Sequence, residues 1–388
     1  MENNTLRQSK VRNSSLELLR ILCMFFIILR HYSAHGGYEE FTTANLTAGV
    51  VLVQMISMFG RDSCSVFAMI TGYFMIHSAK DTPKKSLILM TEMVFYSWII
   101  NAILFATGQV EFTLRNLLIT LFPMIWGGHW FVLAYVIFLL FVPYVNRFIK
   151  ALDKKTFTGL LALIFVFFSF LKTFAKAGWE FSDFDFFVVF YLAGAYIRLY
   201  ADDLKYKNSI NLIVMLVSAA LLLLTVPVMD FAGVITGIDT FVNMAVYFRD
   251  YYCPIGIVLA VSSFLFFKNI EFHSSVINQS AKSVLAIYLI HEGMARETIW
   301  QTISPNANYL NTPWLIPHII IKCGCVFFGG LIIDQIRLAT IGRLTEGFIN
   351  KKYPIWTEKC IKIRDRFFAF IKKRQKKNSV EAASSNIE

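Results

Sequence analysis

The sequence predicts an all-α polytopic membrane bundle of about ten transmembrane helices with interfacial amphipathic helices. Three observations predict it. The 388 residues are 56% hydrophobic and only 16% charged, with 38 Phe and a mean hydropathy of +0.56, far from the roughly 25% charged residues of a soluble domain. Apolar runs of about 18–20 residues, the length that crosses a bilayer, recur along almost the whole chain. The net charge of +11 is unevenly spread, in the manner of a membrane topology signal.

The candidate spans are approximately 15–35, 61–79, 86–107, 129–147, 156–173, 184–201, 209–229, 250–268, 282–300 and 314–336. With an inner N-terminus, Lys84, Lys85, Arg147, Lys150, Arg198, Lys207, Lys268, Lys282, Arg337 and the tail all fall inside, together with Arg7, Lys10, Arg12, Lys80 and Lys205. Positive residues favour the cytoplasmic side, so both termini are expected there, in a multi-pass protein of the plasma membrane. The basic excess is therefore topological, and no nucleic-acid partner is expected. Lys322, inside the last span, has no place in this scheme.

The first span is too long and too polar for a signal peptide. The six Cys are scattered, and Cys323 and Cys325 diverge on a helix, so neither a metal nor a disulfide framework is expected. Stretches 44–59 and 112–124 follow odd-numbered spans and are too short to cross and return, which suits helices lying at the outer surface. The tail divides off as 341–388, a basic segment with Ile, Trp and Phe for an anionic inner leaflet. Its last stretch, NSVEAASSNIE, is expected to be disordered. Residues 1–14 form a short inner segment and 15–340 the membrane domain.

The first span, ELLRILCMFFIILRHYSAH, carries Glu17, Arg20, Arg30, His31 and His35. A charge near a bilayer centre costs at least about 2.5–3.5 kcal/mol, so such groups point to function. Arg20 and His31 are eleven residues apart, which is three turns and roughly 16 Å along one face. Glu17 lies one turn before Arg20 and His35 one turn after His31. Arg30 points about 100° away, from where it could snorkel outward. A Glu17–Arg20 ion pair and a His bonded to a neighbouring helix would also account for the stripe.

Three further stretches stand out. FGRDSCSVFAMITGYFMI (59–76) sets Arg61 and Asp62 at a helix mouth, a functional or a structural pair, with Ser63, Ser65, Ala68 and Gly72 allowing close helix approach. GGHWFVLAYVIFLLFVPYVN (127–146) opens on His129 and Trp130, where Trp also serves as an interfacial anchor. SVLAIYLIHEGMARE (283–297) holds Tyr288 and a mid-span His291.

Taken in order, these four stretches resemble the membrane-bound acyltransferase-3 family of cell-surface polysaccharide O-acetyltransferases. The first span of that family carries Arg or Lys and then a His, as Arg20 and His31 do. SVFAMITGYF is similar to its second span, with Thr71 for the usual Ser. HWFVLAYVIFLLFVPYVN is similar to its fourth, with Phe131 for Tyr, while FYLAGAYI and SVLAIYLIH match its sixth and ninth. The resemblance covers about 15–340 and implies a bacterial enzyme moving an acyl, most often acetyl, group from acyl-CoA to a surface glycan or its lipid-linked precursor. Many relatives carry an extracytoplasmic hydrolase-like domain; here the span region runs on into a basic tail, and none is expected.

On that resemblance His31 and Glu17 are the candidate catalytic residues. Arg20 and Arg61 are the candidates for binding the acetyl-CoA donor, and His35, Trp130, Tyr288 and His291 for lining the substrate cavity. The partners implied are acyl-CoA, the glycan and membrane lipid, and a homo-oligomer is compatible with them. No metal is expected, since a thioester is reactive enough without one. The rival is a glycolipid or small-molecule transporter or flippase, against which stands the apparent absence of the broken spans that transporters use.

Overall fold

The structure is a computed structural model and describes residues 13–78, 81–126, 128–175, 183–201 and 207–384. Arg7, Lys10, Arg12, Lys80, Lys176 and Lys205, and all of the inner N-terminal segment except Asn13 and Ser14, lie outside the described residues. Among the described residues every regular element is helical. In chain order they are α1 (Ser15–Ala34), α2 (Ala48–Ile56), α3 (Gly60–Met75), α4 (Thr82–Ala106), α5 (Leu114–Leu121) and α6 (Trp130–Lys150). Then come α7 (Lys154–Phe174), α8 (Asp183–Tyr196), α9 (Asn208–Thr236), α10 (Pro254–Lys268), α11 (Val284–His291) and α12 (Leu315–Arg337). Several helices open on a side-chain cap: Thr47, Thr113, Asp153 and Ser274 each accept an orphan backbone N–H of the first turn.

Among the described residues, eight helical stretches are long and apolar enough to cross a membrane, so the chain is a multi-pass α-helical membrane protein. Two of the ten expected spans are not among the eight. One is α1, with Glu17, Arg20 and Arg30 in its 20 residues. The other is the ninth, whose helix stops at His291: Glu292 is extended (φ −112°, ψ −177°) and Gly293 takes φ +68° before helix resumes at Ala295–Glu297. A positive φ is cheap only for glycine. One span is thus broken, contrary to the expectation of continuous helices, and the two exceptional spans are the ones that meet at the site.

The expected outer-surface segments are short helices, α2 and α5. Outward-facing apolar side chains, such as Leu216, Val228 and Phe231 on α9, are exposed and suit lipid contact. Inside, two apolar clusters flank α1. One joins it to α3, α6, α8 and α10, and the other to α4, α11 and α12. Backbones touch where α3 crosses α8: a Cβ at Gly72 would strike the Tyr191 carbonyl, and one at Gly194 the Met69 carbonyl. These small residues let the helices approach as expected of the second span.

Residues 336–388 form a separate compact unit. Its long helix, Arg343–Ser384, continues through most of the stretch expected to be disordered, where Glu381, Ala382 and Ala383 are good helix formers.

Candidate active site

Breaking the ninth span at Glu292 decides the site's geometry. On a continuous helix, successive side chains diverge by about 100°. Here the extended residue lets His291 and Glu292 both turn toward α1. His31 Nδ1 lies 2.9 Å from His291 Nε2 and 3.0 Å from Glu292 Oε1. His35 Nε2 lies 3.3 Å from the same carboxylate oxygen. Arg296, one turn on, holds Glu292 Oε2 through both Nε and Nη2. The acid is buried, with its side chain 3% exposed.

The tautomers follow from the partners. His291 Nδ1 faces the Ile287 carbonyl, which only accepts, so that nitrogen carries the proton and Nε2 is bare. His31 Nδ1 then faces the bare Nε2 of His291, with the negative Glu292 Oε1 3.0 Å away, and must itself donate. The remaining nitrogen of His31, Nε2, keeps its lone pair. A fixed tautomer backed by a carboxylate is the arrangement that makes an imidazole a proton acceptor.

His31 also lines a cavity of about 1490 Å³ that extends along α1. Glu17, Arg20, Lys85, Arg198 and Lys268 border one end, and Arg30, His31, His35, Arg61 and Arg296 border the other. Trp130 and Tyr288 are in its wall, with the Tyr288 ring 6.2 Å from that of His31. The volume exceeds the roughly 300–1,000 Å³ of an ordinary ligand pocket and leaves room for two substrates.

The structure therefore brings together His31, His35, Tyr288 and His291, and sets Trp130 in the wall with Tyr288; His291, expected to line the cavity, is instead fully buried behind His31 and outside the lining. Glu17 is elsewhere. It binds Arg20 at 2.9 Å, fourteen residues from His31 and hence about 21 Å along the helix, so it cannot act on the same atoms. The acid that meets His31 is Glu292, which is not among the candidates its sequence position suggests. Arg61 does not pair with Asp62: its Nε lies 3.1 Å from Asp250 Oδ1, at the end of the cavity away from Arg20. Asp62 turns into the bundle and is buried.

Lys322 also finds its place. Its ammonium donates to the carbonyls of Ile303 (2.9 Å) and Ser304 (2.7 Å) and to Asn306 Oδ1 (2.6 Å). Asn306 in turn donates to the Tyr32 carbonyl at 2.9 Å. The lysine thus ties the segment after the broken span to the end of α1. Lys322→Met would leave these acceptors buried without a donor, and we expect a loss of about 3 kcal/mol. A lowered unfolding midpoint, followed by intrinsic fluorescence in detergent, checks this.

The chain matches the family model described as an acyltransferase domain, Acyl_transf_3, over residues 13–333. It belongs to the acyltransferase-3 family. No curated protein and no solved structure matches it. Within this acyltransferase-3 chain, the match spans every element from α1 to α11 and most of α12, so the whole cavity, with both its ends, lies inside the family domain.

Proposed function

We propose that this acyltransferase moves an acetyl group from cytoplasmic acetyl-CoA to a hydroxyl of a bacterial surface polysaccharide or its lipid-linked precursor. It would do so at the plasma membrane with both termini inside. One observation carries the reading: a single cavity joins a basic mouth to a histidine whose Nε2 is bare. Lys85, Arg198 and Lys268 border that mouth beside Arg20, and the charge distribution assigns all three to the inner side. Cationic forks and ammonium groups suit the phosphates of CoA.

The pantetheine arm would follow α1 toward His31. The acceptor hydroxyl attacks the thioester carbonyl as His31 Nε2 takes its proton, and Glu292 stabilises the imidazolium. Collapse of the tetrahedral intermediate breaks the C–S bond. The departing thiolate takes the proton back from His31, so an ester and CoA thiol leave and the imidazole is restored. His35 would contact the same carboxylate oxygen as His31, His291 would hold the His31 tautomer, and Tyr288 and Trp130 would shape the reacting space.

Purified full-length protein in nanodiscs should release CoA thiol from acetyl-CoA and yield an acetylated glycan. No thiol release and no ester with any surface glycan would refute the reading. Arg20→Ala should raise the donor KM about tenfold or more with kcat largely kept, and Arg20→Lys should recover part of the affinity. An unchanged donor KM would leave Arg20 as the structural partner of Glu17.

His31, His291 and Glu292 offer three ligand atoms within 4.8 Å of one another. Their separations of 2.9 and 3.0 Å suit hydrogen bonds, whereas ligands about 2.0–2.1 Å from a tetrahedral zinc stand about 3.3 Å apart. We accordingly expect chelators to leave turnover unchanged. Inactivation by a chelator with recovery on adding zinc would make the trio a metal centre instead.

A further inference from the structure

Arg30 does not snorkel outward. Its aliphatic stem lies against Gly60, where any Cβ would strike it, and the side chain forms part of the cavity wall. Its Nη1 is buried and has no hydrogen-bond partner among the described residues. Its charged neighbours are chiefly of its own sign: Arg249 and Arg61, with Asp250. Arg61 gives its Nε to Asp250 and lies over the Tyr251 ring, 5.3 Å from the centroid. Arg249 gives Nη1 to Ser57 Oγ at 3.3 Å. Asp62 is near enough to feel Arg30, but its carboxylate is buried outside the cavity lining and makes no hydrogen bond to it.

Three guanidinium groups thus gather around two carboxylates, and the one beside His31 in sequence, half-buried in the cavity wall, makes no hydrogen bond among the described residues. A partly buried cation without partners is costly, unless something that binds supplies them. The CoA phosphates do not suit this end, because Arg20 is ten residues and roughly 15 Å away along α1. We propose that Arg30 and Arg61 form an anion subsite for the acceptor, which carries a phosphate or carboxylate close to the hydroxyl that is acylated. A planar guanidinium matches either oxyanion with paired hydrogen bonds. The identity of the occupant as acceptor rests on the acyl-transfer reading, whereas the anion site does not.

The test is binding by full-length protein in nanodiscs, with CoA present at saturation to occupy the basic mouth. The probes are methyl glucoside, methyl glucuronide and methyl glucoside phosphorylated at its primary hydroxyl. At least one charged probe should bind about tenfold more tightly than the neutral one, the gain expected of a charge-assisted hydrogen bond. Which charged probe wins separates a phosphorylated from an acidic glycan. Arg30→Met should abolish the preference and Arg30→Lys should keep part of it, both with CoA affinity retained. Gly60→Ala, which displaces the Arg30 stem without changing any charge, should weaken the charged probes more than the neutral one.

Equal binding of all three probes, or a preference that survives Arg30→Met, would overturn the proposal. So would an Arg30→Met enzyme whose kcat falls while its preference persists, since that marks stabilisation of the reacting oxyanion instead. An anion preference without any acetyl-CoA turnover would sink the acyl-transfer reading and leave the anion site standing.

Discussion

His31→Ala should lower acyl transfer by about a thousandfold or more while protein accumulates in the membrane at normal levels. The size follows from what is lost: a positioned base contributes roughly 10²–10⁴ on its own. This imidazole is also oriented by His291 Nε2 and the Glu292 carboxylate, and its removal leaves His291 Nε2 without its partner. Insertion should not suffer, because the change makes a span more apolar. Thiol release from acetyl-CoA at saturating donor and acceptor is the measurement. Wild-type turnover would remove His31 from the mechanism. His291→Ala should cost less, since it removes one of two acceptors and leaves the carboxylate in place.

Glu292→Gln should lower kcat by about a hundredfold with the donor KM unchanged. His31 Nδ1 can still donate to His291 Nε2, so the tautomer survives. What disappears is the negative charge that stabilises the imidazolium as the proton arrives. Arg296, now bidentate on Glu292, is left facing a neutral group. Combined with His31→Ala, the second change should add little, because groups that act as a unit are not additive. If the Gln enzyme turns over normally, Glu292 is only an anchor for Arg296.

Much of the fold was legible because a bilayer demands long apolar helices, and hydropathy alone finds those. The stripe of α1 was legible because Arg20, His31 and His35 share one face at helical spacing. Glu292 was not, since it follows His291 directly and a continuous helix would send it elsewhere. The signal was the glycine after it: Gly293 permits the positive φ that turns the chain. Arg61 pairs with Asp250, 189 positions away, rather than with its neighbour Asp62; no sequence period reports such a contact. Lys322 looked anomalous until its carbonyl acceptors were in view, and those belong to a loop rather than to a span.

Because α1 is unbroken from Ser15 to Ala34, it works as a ruler between the two ends of the cavity. Arg20 and His31 are graduations on one rigid rod, so the distance between them does not depend on how the surrounding helices breathe. A single residue inserted between them would lengthen the rod by only about 1.5 Å but swing His31 about 100° off the face it shares with Arg20. Four inserted residues would nearly restore the facing and leave His31 about 6 Å farther from Arg20. Arg30 and Arg61 stand at the His31 end of that rod, so the length of one helix also sets how far the proposed acceptor subsite lies from the proposed donor anchor at Arg20.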